Sequence, residues 1–140
     1  MQNSIKPVIE GELPSEYADR LGMYYTKAVT TVHKKKEGQF FTPPAIAELM
    51  ASFCNTTKNE VKILDPGCGT GILTCAIIEH LVKTNKHLTS IQLVAYETDV
   101  NLISSSQETL KYLKGWLQEK KLNLNIYYIY TILYLIIQMS

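Results

Sequence analysis

Three glycines separated by single residues stand near the middle of the chain, in Asp65-Pro66-Gly67-Cys68-Gly69-Thr70-Gly71. A short strand-like run, Val61-Lys62-Ile63-Leu64, leads into them, and an apolar helical stretch from about Gly71 to Lys83 leads away. Glycines at such a turn let the backbone approach a ligand closely and adopt angles that a Cβ would block. The helix start behind them offers amides without helical partners, which welcome a phosphate or a carboxylate. Asp65 narrows the choice. A carboxylate at the strand end repels a pyrophosphate but can bind an ammonium, and a methionine-type ligand carries both an ammonium and a carboxylate. The spacing also departs from the dinucleotide pattern GxGxxG. A tight turn with no ligand is the plainer reading, yet three spaced glycines after Asp-Pro exceed what a turn needs.

Two further segments carry chemistry. Ile91-Gln92-Leu93-Val94-Ala95-Tyr96 reads as a second strand, ending at Glu97. An acid at that place holds ribose hydroxyls in nucleotide-binding α/β folds, and a carboxylate can accept from both hydroxyls at once. Asp99 then caps the next helix. Alone, Glu97 reads equally as a solvated loop residue; beside the glycine turn it gains weight. The other segment is Gly38-Gln39-Phe40-Phe41-Thr42-Pro43-Pro44. A helix start with Thr42 as cap explains Thr42 and Pro43, but does not call for two aromatics and Gln39.

Taken together, Gly38 to Pro43 and Asp65 to Gly71 resemble the N-terminal part of the catalytic domain of N6-adenine DNA methyltransferases of bacterial restriction-modification systems, chiefly type I modification subunits and fused type II enzymes. That family has Gly-(Gln/Glu)-Phe-(Phe/Tyr)-Thr-Pro followed by Asp-Pro-Ala-Cys-Gly-(Ser/Thr)-Gly, so Gly67 stands here for the usual alanine. The likeness covers about residues 30 to 105. It implies S-adenosylmethionine as cofactor and DNA as substrate. Phe41, Thr42 and Pro43 would border the methionine half. Asp65 would hold its ammonium, Gly67, Gly69 and Gly71 would let it pass, and Glu97 would take the ribose hydroxyls. Thr98 and Asp99 would lie beside the adenine.

The resemblance also exposes what these residues lack. The family's (Asn/Asp/Ser)-Pro-Pro-(Tyr/Phe) segment grips the target adenine once it is flipped from the helix. No proline follows Pro66, and no acid follows Lys121. No catalytic residue is therefore assigned, and the chain is expected to be inactive alone. Residues 122–140 carry no charged side chain and are rich in Ile, Tyr, Leu and Asn. They are expected to be either a very apolar third strand or an out-of-frame end after a truncation near residue 126. The second functional reading is a non-catalytic interaction module, or half of a split methyltransferase completed by a partner chain: a C-terminal half, a specificity subunit or an endonuclease subunit. The third is a Rossmann-like enzyme acting on a small molecule, against which Gly38 to Pro43 argues.

Composition sets the frame for these elements. The 140 residues are 46% hydrophobic and 19% charged, which excludes wholesale disorder. Fourteen basic against thirteen acidic residues give a net charge of +1, which excludes coating of nucleic acid by charge alone. The run His33-Lys34-Lys35-Lys36 reads as a solvated stretch, with phosphate contact as its alternative. Three cysteines without a CxxC pair point to neither a disulfide framework nor a metal site, and to a reducing cytoplasm. The apolar run Ile126–Ile137 is shorter than the ~20 residues of a membrane span.

Punctuation and period predict a helix from Leu13-Pro14-Ser15-Glu16 to about Val32 with Gly22 as its weak point, and a helix after Pro43 with Ile46, Leu49, Met50 and Phe53 on one face. The alternation β-α-β-α-β follows, with a long helix from Asp99 to about Lys121. Trp116 belongs to its core face with Leu110, Leu113 and Leu117. Cys68 and Cys75 read as small packing residues, and His80 and His87 have no evident partner. The expected fold is α/β: a helical N-terminal arm (1–37), the cofactor-binding half of a Rossmann-like methyltransferase domain (38–121) and an apolar tail (122–140). The second and third strands should lie on one side of the first, leaving its other edge unpaired.

Overall fold

The computed structural model describes residues 6–28 and 41–130, with side chains through Tyr127. Gly38, Gln39, Phe40, the His33–Lys36 run, the expected end of the first helix near Val32 and the tail beyond Tyr130 lie outside the described residues. The elements are α1 (Pro14–Ala28), α2 (Pro44–Ala51), β1 (Glu60–Asp65), α3 (Ile72–Thr84), β2 (Ser90–Glu97), α4 (Val100–Glu119) and β3 (Asn123–Tyr130).

The strands form one parallel sheet in the order β1-β2-β3. Asp65 is level with Ala95, and Ala95 with Tyr128. Both crossovers advance the same way across the sheet, so their helices fall on the same face. That face buries Ile91, Leu93, Ala95 and Leu124 under Cys75, Ile78 and Leu81 of α3 and Leu110, Leu113 and Leu117 of α4. Cys68 and Cys75 are packing residues as expected, and Trp116 leans on this core with the Lys120 ammonium 4.6 Å above its ring. The opposite face carries Lys62, Leu64, Gln92, Val94, Tyr96 and Tyr127, with Leu64 66% exposed. Among the described residues no strand pairs with the outer edge of β1, and no helix is long and apolar enough to cross a membrane.

Two expectations for α2 need correction. Its cap is Pro43, at φ −60° and ψ 148°, with no side-chain capping bond. Pro44 excludes the helical region for the residue before it, so the last non-helical position falls on Pro43 rather than Thr42. The apolar face is also turned outward: Ile46, Leu49, Met50 and Phe53 are exposed, Phe53 to 76%. The helix docks instead through Ala47 and Ala51, whose small side chains permit close approach to α3.

Helix α1 buries Tyr17, Ala18, Leu21, Gly22 and Tyr25, a helical spacing. Gly22 is an ordinary helical residue here, not a break. The N-terminus of α1 is held from another element: the Ser15 amide donates to Glu79 Oε2 at 2.8 Å and its hydroxyl to Oε1 at 2.6 Å. The preceding strap is tied by Arg20 to both Glu12 oxygens at 2.9 Å, which holds the Glu12 carboxyl below its usual range. His80, expected to stand alone, pairs through Nε2 with Asn55 Oδ1 at 3.2 Å.

Burial of Glu79 between α1 and α3 raises its pKa from 4.5, more strongly than the Ser15 bonds lower it. The folded state therefore holds this proton to higher pH than the unfolded chain, and that contribution to stability is lost as pH rises through the raised pKa. Across thermal melts from pH 4 to pH 7, wild type should lose stability relative to Glu79→Gln. Parallel or oppositely sloped curves would refute this reading.

Candidate functional site

The site lies at the carboxyl ends of β1 and β2. Gly69 (φ +56°) and Gly71 (φ +93°) occupy the left-handed region, where a side chain is strained. A Cβ on Gly71 would meet Thr109 Cγ2 at 3.2 Å, and one on Gly69 would meet the Phe41 ring at 3.3 Å. Gly67 has an ordinary φ and nothing within 4 Å of its would-be Cβ. Two glycines are thus demanded by the protein itself, and only Gly67 fronts open space.

The loop amides are largely spoken for. Cys68 N donates to Tyr96 O at 2.9 Å and Gly71 N to Cys68 O at 2.7 Å. Gly69 N donates to Glu97 Oε2 at 2.7 Å, and Gly67 N to Asp65 Oδ1 at 3.4 Å. The expectation of an amide cradle for an anion is therefore corrected at these four positions: closing so tight a turn consumes its own donors.

Glu97 and Asp65 set the local electrostatics. Glu97 is 7% exposed, and its other oxygen accepts from the amides of Thr98 and Asp99, both at 3.0 Å. Three of the roughly four lone-pair sites of a carboxylate are thereby filled, leaving one on Oε2. Asp65 is 9% exposed and accepts from Thr74 Oγ1 at 2.5 Å. Among the described residues neither acid has a Lys or Arg partner; the one ion pair is Arg20–Glu12. Their donors are amides and a hydroxyl, so among the described residues no cation offsets the two carboxylates at the loop. Cys68 lies in the same field: burial, then Asp65 and Glu97, push its thiol up to about 12. It is a neutral packing group, not a nucleophile.

Phe41 is half-buried, with its ring edge-to-face on Tyr25 at 5.6 Å. Thr42 is half-buried and Pro43 exposed. Phe41 and Thr42 border a cavity of about 210 Å³ together with Gly22, Thr70 and Ile72. Asp65, Gly67 and Glu97 do not line that cavity; they stand at the strand ends beside it. Asp99 caps α4, accepting from Asn101 N at 2.9 Å, and receives the Tyr25 hydroxyl at 2.6 Å. Tyr25, Thr70 and Thr74 escaped the sequence reading. The spacing of Tyr25 from Tyr17 and Leu21 marks it as core, but its contact with Asp99 spans 74 residues and has no local signal.

A glycine turn after the first strand, an acid ending the second and helices crossing between parallel strands define a partial Rossmann-like α/β fold. The chain belongs to the N-6 DNA methylase family, whose model matches residues 17–104. It is 36% identical over 87 residues to the type II methyltransferase M.BsuBI of Bacillus subtilis, covering 61% of this chain and 17% of that protein. It is 31% identical over 84 residues to the type II methyltransferase M.AccI of Acinetobacter calcoaceticus, covering 60% and 14%. The modification methylase CviBIII of Paramecium bursaria Chlorella virus NC1A is 32% identical over 85 residues, covering 59% and 21%. The chain thus spans only a small part of these relatives' length.

The glycines should separate cleanly on substitution. Gly67→Ala should fold with unchanged stability, or up to ~1 kcal/mol higher. Gly71→Ala should lose about 1–2 kcal/mol from the left-handed backbone alone, with Thr109 contact adding to it. Denaturant midpoints read both, and equal losses at the two positions would contradict the assignment.

Proposed function

We propose that this chain is the S-adenosylmethionine-binding part of an adenine-specific DNA methyltransferase of a restriction-modification system. The observation that carries the proposal is the pair of buried carboxylates, Asp65 and Glu97, at the glycine turn without a basic partner among the described residues. Such a field disfavours a pyrophosphate and favours a cationic ligand. S-adenosylmethionine carries a sulfonium and an ammonium, and when bound it supplies the activated methyl group. Asp65 would attract the ammonium. The remaining lone pair of Glu97 Oε2 would take one ribose hydroxyl rather than two. Gly67 leaves room for close approach, and Phe41, Thr42 and Pro43 would border the methionine half.

The 140 residues contain no Pro-Pro after Pro44, so gripping the target base falls to residues outside this stretch. The chain alone is then expected to bind cofactor without methylating DNA. DNA in a restriction-modification setting also argues for the cytoplasm. Calorimetric titration with S-adenosylmethionine tests the site: Asp65→Ala and Glu97→Ala should each weaken binding by about tenfold or more, the loss of a charged hydrogen bond. Unchanged affinity in both would sink the assignment.

A second reading, half of an enzyme completed by a partner chain, draws support from the surface. A parallel sheet is ordinarily covered on both faces, yet among the described residues no helix covers the second face and no strand pairs with the outer edge of β1, where Leu64 is exposed. Mixing the chain with a polypeptide carrying the C-terminal part of a relative should restore adenine methylation. Failure to associate in sedimentation would count against this reading.

A further inference from the structure

Tyr25 does two things that its place in α1 does not require. Its spacing from Tyr17 and Leu21 calls for an apolar core residue, which phenylalanine or leucine would supply. It is instead a tyrosine, 8% exposed, whose hydroxyl donates to Asp99 Oδ2 at 2.6 Å. A buried phenol needs such a partner, and a bond to a carboxylate is among the stronger kinds. Asp99 is 7% exposed, and its other oxygen accepts from Asn101 N at 2.9 Å. The Asp99 amide donates in turn to Glu97 Oε1 at 3.0 Å. A second route leaves from the ring of Tyr25, which stands edge-to-face on Phe41 at 5.6 Å. The Phe41 ring lies 3.3 Å from where a Cβ on Gly69 would be, and the Gly69 amide donates to Glu97 Oε2 at 2.7 Å. Both routes from one side chain end on the same carboxylate, one at each oxygen.

We propose that Tyr25 is a positioning residue for Glu97, and that it fixes the open lone pair on Oε2 against a ribose hydroxyl of the ligand; this rests on the reading of Glu97 as the acid that takes the ribose. Tyr25 acts through Asp99 and Phe41 rather than by touching the sugar. Its hydroxyl holds the Asp99 side chain, and with it the backbone whose amide orients Oε1. Its ring braces Phe41 against the glycine turn, and with it the amide that orients Oε2. A carboxylate held at both oxygens has little freedom left to lose when the ligand arrives, which favours binding. Removing the hydroxyl alone leaves the ring in place and the buried Asp99 with one donor fewer. Asp99 then turns toward another donor, the backbone at Thr98 and Asp99 follows, and Oε2 no longer points at the sugar.

Adenosine and 2′,3′-dideoxyadenosine, which lacks both ribose hydroxyls, separate positioning from mere packing. Their affinities for the full chain are measured by calorimetry, and the readout is the ratio between them. Wild type should favour adenosine by about tenfold. Tyr25→Phe should bring that ratio close to unity by weakening adenosine, with 2′,3′-dideoxyadenosine unchanged. Asp99→Asn disturbs the same bond from its other end and should lower the ratio too, and the double variant should fall no further than the larger single effect. Should Tyr25→Phe fail to fold, the ratio in Asp99→Asn decides. A merely structural Tyr25 predicts that both nucleosides weaken alike, or that neither does, so that the ratio keeps its wild-type value. Either result overturns the positioning role while the reading of Glu97 stands. If wild type binds the two nucleosides equally, or binds neither, that reading fails and the positioning role with it.

Discussion

One buried carboxylate joins the parts of this structure. Glu97 ends β2 and accepts the Gly69 amide at 2.7 Å while its other oxygen accepts from Thr98 and Asp99. A carboxylate removed from water needs such donors. Gly69 takes the left-handed conformation and donates this amide, so the glycine turn and the acid meet in a single arrangement. The same turn starts α3, and the residues after Glu97 start α4 under the Asp99 cap. Both helices that roof the sheet thus leave from this point. Tyr25 on α1 reaches the same corner through Asp99, which ties the N-terminal helix to the strand ends.

The arrangement has an electrostatic consequence. Donors that are dipoles satisfy Asp65 and Glu97 without cancelling their charge, and among the described residues no cation pairs with either, although the chain is nearly neutral overall. This separates it from the phosphate-binding turns that it resembles in outline. There the amides face outward and charge is supplied by the ligand; here four amides face inward and the charge belongs to the protein. How the donors are spent, not the presence of glycines, sets the charge that the turn presents.

The chain also shows how a shared fold can be one-sided. Helices α3 and α4 cover a single face because both crossovers run in the same direction. Among the described residues no element covers the second face, the outer edge of β1 or the apolar side of α2. The exposure of Leu64 on that face and of Ile46, Leu49, Met50 and Phe53 on α2 is a matter of topology, since these residues have the same apolar character as those in the core.

Most elements were legible from the sequence because their signals are local. Gly69 and Gly71 mark the turn through a backbone region that other residues avoid; Pro14 and Pro44 mark helix starts; alternation of strand and helix runs implies a parallel sheet. Glu97 was legible as an acid ending a strand, and Asp99 as a cap. The sequence was misleading where the same local pattern fits two environments: the apolar stripe Ile46, Leu49, Met50 and Phe53 reads as core, but Ala47 and Ala51 allow the closer docking. Only the tertiary structure decided that Glu97 keeps one free lone pair, that Glu79 holds the start of α1, and that Tyr25 meets Asp99. Those bonds join residues 28, 64 and 74 positions apart. At such separations a partner is chosen by how the elements pack, and no spacing of residue types along the chain encodes it.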